Sequence, residues 1–427
     1  MKKTSIHIEK LGPIRNANIE LAQLMLFTGA SNLGKSYTNF LTYYVFSTFA
    51  NNRIYKFVSN KIEGKLKQTK DFNFNIKISD LCIWMSKDVK DFFRNLLGYD
   101  NIPCEVTFQF DLNFKVLKIA YQLEGETIKF GEESVTFSSI TINEEKRIFI
   151  GEFSSIASLM SDFIAEYLSE QIFGKRITHS FLLPPGRASL LDNSYSVQKS
   201  ASRIGMYDLF LRDYDLLARK SIWEESKPKD KQFFESKISK LIGGELYTSK
   251  DGTMLKLANE MSIPLSAAAS SIKELSPILL WMKNRKIELD SICIEEPEAH
   301  SHPEMQYNMT DLLIACLNKG AFMQITTHSD YLLARLNQLI ALGKLKKNNE
   351  NAFADFCREN MHSKSIFLDA ETVKAYYFYL DETNQVKIEL QDLSEGIPFD
   401  SFTSIVQKQM DVDDKLNLYQ YQDKDEQ

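Results

Sequence analysis

Apolar and polar positions alternate from the first residues. Ser5-Ile6-His7-Ile8-Glu9 and Ala17-Asn18-Ile19-Glu20-Leu21 predict two half-buried strands, separated by a turn at Leu11-Gly12-Pro13. Leu24-Met25-Leu26-Phe27-Thr28 is a more continuous apolar run, which predicts a strand buried on both faces and ended by Gly29. Lys35 to about Phe49 is helix-compatible. From Arg53 to Lys70 the chain turns polar and basic, with Arg53, Lys56, Lys61, Lys65, Lys67 and Lys70 set against the single acid Glu63. Such a run is either a solvated helix face or a surface for nucleic acid or another acidic partner.

Residues 102–150 alternate repeatedly, as in Cys104-Glu105-Val106-Thr107-Phe108-Gln109-Phe110-Asp111 and Lys115-Val116-Leu117-Lys118-Ile119-Ala120-Tyr121, and predict an antiparallel sheet. Helical periods dominate from Glu152 to about Lys240, broken by Pro184-Pro185-Gly186 after the apolar run Ser180-Phe181-Leu182-Leu183. Gly243-Gly244 then opens a short strand-rich stretch to Leu257. Helices near Ser270–Arg285, His302–Leu317 and Tyr331–Leu342 alternate with strands at Ser291–Ile294 and Phe322–Thr326. That alternation predicts an α/β fold. The expected divisions are 1–150, a lobe with the first helix and an antiparallel sheet; 151–260, a mainly helical insertion; 261–410, a second lobe; and 411–427, an acidic flexible tail.

Composition narrows this little. The 427 residues are 44% apolar and 25% charged, ordinary globular usage, with no run long enough for a membrane helix and no apolar leader. A cytoplasmic protein is expected. Cys82, Cys104, Cys293, Cys316 and Cys357 are scattered without a CxxC pair, which suits reduced thiols. The net charge of −6 divides into +3 over residues 1–200 and −9 over the remainder, which excludes a protein that coats nucleic acid through bulk positive charge.

Chemistry concentrates in short strings. Gly29-Ala30-Ser31-Asn32-Leu33-Gly34-Lys35-Ser36 matches GxxxxGK[ST] between a buried strand and a helix. Its glycines let successive N–H groups turn toward phosphate oxygens at a helix N-terminus, with Lys35 to neutralise them and Ser36 to ligate Mg²⁺. Glu295 and Glu296 follow the strand Ser291–Ile294, so one carboxylate can face the metal and the other an attacking water. Glu298 is either a helix N-terminal charge or part of that site. His328 ends Gln324-Ile325-Thr326-Thr327-His328, where an imidazole can bridge phosphate and water. The small residues Leu265-Ser266-Ala267-Ala268-Ala269-Ser270-Ser271 open a helix. They either admit an anion, with the Ser270 and Ser271 hydroxyls as donors, or serve close helix packing.

In this order the strings resemble the ABC-type ATPase heads of the RecF/SMC/Rad50 group. The likeness is closest to the ATPases related to the overcoming-lysogenization-defect family, which occur in anti-phage systems of the Septu and PARIS type. It covers roughly 1–50 and 260–400, and its most specific string is Glu295-Glu296-Pro297-Glu298-Ala299-His300-Ser301-His302-Pro303.

The resemblance implies ATP and Mg²⁺ as cofactors, Lys35 and Ser36 in Walker A, Glu295 at the Walker B metal position and Glu296 as catalytic carboxylate. It makes His328 the switch histidine and Ala299–Pro303 the D-loop. Ser270-Ser271 would be the signature motif, capping ATP held by the opposite subunit of a head-to-head homodimer or higher oligomer. An ATP-driven switch that senses an invader or DNA and regulates an operon-encoded nuclease or toxin follows from it, with a RecF-like ATPase acting directly on DNA as the alternative. A transporter subunit fits poorly, because Ser270-Ser271-Ile272 stands where transporters carry a glycine pair. That departure, with Glu295 in place of the commoner Asp, implies slow turnover. Gln109 and Gln122 are the Q-loop candidates, and Arg187 resembles part of a PAxR-like family string.

Overall fold

A computed structural model describes residues 3–66, 71–123, 128–130, 133–151, 156–192, 204–219, 228–250, 252–398 and 406–416. The opening alternation forms an antiparallel hairpin of β1 (Thr4–Leu11) and β2 (Ile14–Glu20), with Ile6 opposite Ile19 and Ile8 opposite Ala17. The continuous apolar run is β3 (Leu24–Gly29), followed by α1 (Lys35–Ala50) and α2 (Tyr55–Leu66). Two elements that the pattern left unassigned come next, β4 (Phe72–Lys77) and α3 (Ile78–Leu97).

The stretch expected to form one antiparallel sheet divides between two. β5 (Cys104–Phe110) joins β1, setting Val106 opposite Ile8 and Phe108 opposite Ile6, so its apolar face completes the core beneath the hairpin. β6 (Val116–Leu123), β7 (Ile128–Phe130), β8 (Glu133–Ile142) and β9 (Glu145–Gly151) form a second sheet with β4.

Residues 151–260 hold α4 (Ile156–Phe173), α5 (Arg187–Asp192), α6 (Gly205–Ala218) and α7 (Pro228–Ile242). They also hold β10 (His179–Leu183), the apolar run before Pro184, which is a strand of the main sheet. A small sheet of β11 (Gly244–Ser249), β12 (Gly252–Leu257) and β13 (Ser262–Pro264) leads to α8 (Ser270–Asn284) and β14 (Asp290–Glu295). Then come α9 (Pro303–Lys319), β15 (Phe322–Thr326), α10 (Asp330–Asn348), α11 (Glu350–Glu359), β16 (Val373–Leu380) and β17 (Val386–Leu390). Residues 406–416 are helical and exposed, and the rest of the expected tail, 417–427, lies outside the described residues.

The main sheet runs β10-β14-β15-β3-β16-β17-β2-β1-β5, with β10, β14, β15, β3 and β16 mutually parallel. It separates two cores, and the two-residue period of each strand distributes side chains between them. Met25 and Phe27 enter the core with α1, α3 and α4, while Leu24 and Leu26 enter the core with α8, α9 and α10. Cys293 likewise faces the first core, and Ile292 and Ile294 the second. Helix α1 is buried on nearly every face from Thr38 to Phe49, so its sequence lacks the polar stripe of a surface helix. The fold is α/β, with mixed sheets and helical insertions.

Candidate functional site

Three parallel strands end at one level. Glu295 of β14 lies opposite Thr326 of β15, and Thr326 lies opposite Phe27 of β3. The loop after β3, the acids after β14 and the histidine after β15 therefore meet at the carboxyl edge of the sheet, where ligands of open α/β sheets gather.

The loop requires its glycines. Gly29 has φ +116, and a Cβ there would lie 2.1 Å from the Phe378 carbonyl oxygen on β16. Gly34, the N-cap of α1, has φ +92. Between them Ala30, Ser31 and Asn32 are exposed, while Leu33 anchors the loop in the core. Lys35 is buried and folds back, Nζ donating to the carbonyls of Gly29 (3.1 Å) and Ala30 (2.6 Å). Burial pushes the Lys35 ammonium pKa down, against the opposing charges of Glu295 and Glu296.

Ser36, on the first turn of α1, donates to Glu295 Oε2 at 2.5 Å. One turn on, Asn39 Nδ2 donates to Glu295 Oε1 at 2.6 Å. Both oxygens of Glu295 are thus held by α1. Its burial raises the carboxyl pKa, while the hydrogen bonds from Ser36, Asn39 and Thr326 oppose the rise. Among the described residues no group of three or more acid, histidine or cysteine side chains forms a ready metal cage. Ser36 and Glu295 nevertheless fit Mg²⁺. They are adjoining hard oxygen donors, and this ion commonly keeps waters and takes phosphate oxygens as its other ligands.

Glu296 leaves the strand with φ +47, a left-handed conformation uncommon for a side-chain-bearing residue, and its N–H donates to the Thr326 carbonyl at 3.1 Å. It lines a cleft of about 540 Å³ together with Ser31, Asn32, Lys35, Ser36 and His328. Pro13, Gly34, Tyr37 and Thr326 complete the walls. His328 is held through its backbone, its N–H donating to Glu298 Oε1 at 2.7 Å. Thr327 Oγ1 donates to the same oxygen at 2.8 Å. Partial burial first, then the positive charge of Lys35, lowers the His328 imidazole pKa.

Glu298 is not a helix N-terminal charge. Helix α9 begins only at Pro303, capped by His302, so the acid of its first turn is Glu304. Glu298 instead braces the turn that presents His328, and burial raises its carboxyl pKa.

Arg187, fully buried, ties this edge to α8. Its guanidinium donates to the carbonyls of Glu295 (2.6 Å), Pro184 (2.9 Å) and Glu296 (3.3 Å), and from Nε to the Glu274 carbonyl (3.1 Å). It also pairs with the Glu274 carboxylate at 3.2 Å, and Glu274 Oε1 accepts from the N–H of Ala188. Glu274 lies one turn into α8 from Ser270.

Ser270 and Ser271 are at the open start of α8, Ser270 exposed and Ser271 partly so, and neither lines the cleft. Gln109 and Gln122 are exposed on β5 and β6 and are also absent from its walls. In the basic run, Lys61 pairs with Asp80 at 3.5 Å, while Lys67 and Lys70 lie outside the described residues. Asn39, Thr326 and Glu274 were not singled out in the sequence. Asn39 had a signal, since it sits three residues after Ser36 and so shares its helix face.

Comparison with known proteins bears on the half of the site built by β14 and β15. A family described as the AAA ATPase domain matches residues 217–333. No curated protein matches the chain. Among solved structures it is distantly similar to the SMC head bound to the C-winged helix domain of ScpA (13% identity, TM-score 0.37, covering 92% of this chain and 98% of that one). It is similar also to the SMC head domain from Thermotoga maritima (9%, 0.33, 92% and 100%). A third is the SMC head with an extended coiled coil bound to the C-terminal domain of ScpA, derived from Pyrococcus furiosus (12%, 0.36, 95% and 99%). No helix among the described residues is long and apolar enough to cross a membrane.

Proposed function

We propose that this chain is an ATP-binding and ATP-hydrolysing ABC-type ATPase that acts as a nucleotide-driven dimer switch. The observation that carries the reading is the 2.5 Å contact between Ser36 and Glu295, which joins the phosphate loop to the acidic strand end across 259 positions of sequence. A solvated acidic turn has no reason to bury its first carboxylate against that serine.

In this reading the loop N–H groups and Lys35 bind the phosphates, Lys35 exchanging its two carbonyl acceptors for phosphate oxygens. Ser36 and Glu295 would hold Mg²⁺, whose charge neutralises phosphate oxygens when bound. Glu296, aimed into the cleft by its left-handed backbone, orients and deprotonates the attacking water. His328 shares that water or the terminal phosphate. The match to the AAA ATPase domain supports the reading over the β14–β15 half. The exposed Ser270-Ser271 start of α8, outside its own chain's cleft, suits a signature that completes the site of a second copy. Control of a partner nuclease or toxin in anti-phage defence rests on the resemblance of Glu295–Pro303 to that family.

The test is molecular mass in solution with Mg-ATP for wild type, Lys35→Ala and Glu296→Gln, with the product of a neighbouring gene co-expressed. Glu296→Gln should accumulate a dimer or larger species that Lys35→Ala never forms. Identical masses for all three, with no bound nucleotide, would overturn the assignment, and failure of any neighbour to co-elute would remove the effector.

A further inference from the structure

A second cleft, of about 410 Å³, opens at the far end of α1 from the phosphate loop, where α1, α2, α3 and α6 converge. That volume is in the range of pockets that take small organic ligands. Three cations line it, Arg53, Lys56 and Arg212, and among the described residues no Asp or Glu is part of its walls. Its floor is aromatic, with Tyr43 and Phe92 buried, and Tyr55 stands exposed at its rim.

The cations are unevenly committed. Arg53 lies over Phe92 at 5.4 Å and over Tyr44 at 5.6 Å, and its Nε is paired with Asp88, which Tyr44 also donates to. Its Nη2 is buried with no acceptor among the described residues. A buried donor left unmade is costly, so Arg53 is short of one acceptor. Arg212 is two-thirds exposed and only loosely met by Asp213 at 3.6 Å, and Lys56 is exposed on the first turn of α2. The acids behind the wall are thus Asp88, already shared, and Asp213, which burial favours in its neutral form. Asn95, exposed on α3 beside these groups, offers an amide that both donates and accepts.

We propose that this cleft binds a nucleotide of mononucleotide size, its phosphate at Arg53, Lys56 and Arg212 and its base against the aromatic wall with an edge at Asn95. Phosphate alone would leave the rings and the amide unused, and a nucleic acid duplex exceeds the volume. The shared chemistry is a 5′-phosphorylated nucleoside, either free or as the end of a single strand. The role assigned to the phosphate-loop cleft plays no part in this proposal.

The experiment is calorimetric titration of the full chain carrying Lys35→Ala, which disables the first cleft, with AMP, UMP, inorganic phosphate and a 5′-phosphorylated oligonucleotide. One AMP or UMP should bind per chain, with phosphate about tenfold weaker or worse. Lys56→Ala with Arg212→Ala, both at exposed positions, should weaken binding about tenfold at unchanged melting temperature, and Arg53→Gln should do so separately. Oligonucleotide binding as tight as AMP identifies strand ends as the source, and its absence identifies free nucleotide. No saturable nucleotide binding, or affinity indifferent to the double variant, overturns the site. Phosphate binding as tightly as AMP overturns the nucleotide.

Discussion

Arg187 and Glu295 are joined through the main chain: the buried guanidinium donates at 2.6 Å to the carbonyl of the residue whose side chain meets Ser36. The same guanidinium pairs with Glu274 of α8. One fully buried cation therefore fixes both the acidic strand end and the helix that begins at Ser270. Removing half of a buried pair leaves an uncompensated charge, typically at a cost of about 3–5 kcal/mol. Arg187→Leu should lose that much by urea denaturation, whereas Arg187→Leu with Glu274→Leu should lose less than Arg187→Leu alone. A double variant as unstable as the sum of its parts would show that the two residues are not coupled.

How much of this was legible follows from where the partners of each residue lie. The phosphate loop is contiguous, so the strand end, the turn glycines and the helix start fall together within eight residues. The strand ending at Glu295 and the one at Phe322–Thr326 were equally plain from their apolar runs. Arg187 was visible only as a charge after Pro184-Pro185-Gly186, because its acceptors beyond the nearby Leu183 and Pro184 carbonyls lie 87 to 109 positions away. β5 was misplaced because strand periodicity gives faces and not partners, and Cys104–Phe110 alternates as well for β1 as for β6. β16 was missed although its aromatic run, Tyr376-Tyr377-Phe378-Tyr379, leads into the turn Asp381-Glu382-Thr383-Asn384, because nothing local marks its pairing with β3, where Phe378 closes against Gly29.

Glu295 is a buried carboxyl that its surroundings hold above its ordinary value of 4.5. The folded state then binds more protons than the unfolded state above that value, so this group makes stability fall as pH rises. Glu295→Gln keeps the shape and removes the charge, and the Oδ1 of Asn39, unpaired among the described residues, can accept from the new amide. Without ligand, Glu295→Gln should melt higher than wild type at pH 7 to 8. The difference should vanish below the ordinary carboxyl range, where Glu295 is neutral in both states. Mg-ATP should reverse the order by stabilising only wild type strongly. A variant less stable than wild type at pH 8 without ligand would mean that the hydrogen bonds of the carboxylate outweigh its desolvation.

His328 lies close enough to Lys35 for the ammonium to help hold its imidazole below 6.5, after burial, the larger cause. Lys35→Ala removes that charge and should raise the imidazole pKa, readable as an upfield-to-downfield titration of the ring protons by NMR. Binding of a nucleotide that neutralises Lys35 should move wild type in the same direction. An unchanged titration in Lys35→Ala would separate the two side chains in solution and weaken the case that they face one phosphate.

The exposed Ser270-Ser271 start of α8, absent from the cleft of its own chain, makes one outcome specific to shared sites. Lys35→Ala should abolish the ATP site that a chain contributes, and Ser271→Glu, placing a negative charge beside a phosphate, should abolish the one it completes. Each variant alone should lose about a hundredfold or more in turnover, which corresponds to about 2.7 kcal/mol. In a mixed dimer one site receives both lesions and the other receives none. Random exchange makes half the dimers mixed, each with one intact site of two, so mixing two dead proteins should restore about a quarter of wild-type ATPase activity in a symmetric dimer. A signature acting within its own chain leaves every site of the mixture damaged, and activity stays at the level of the variants.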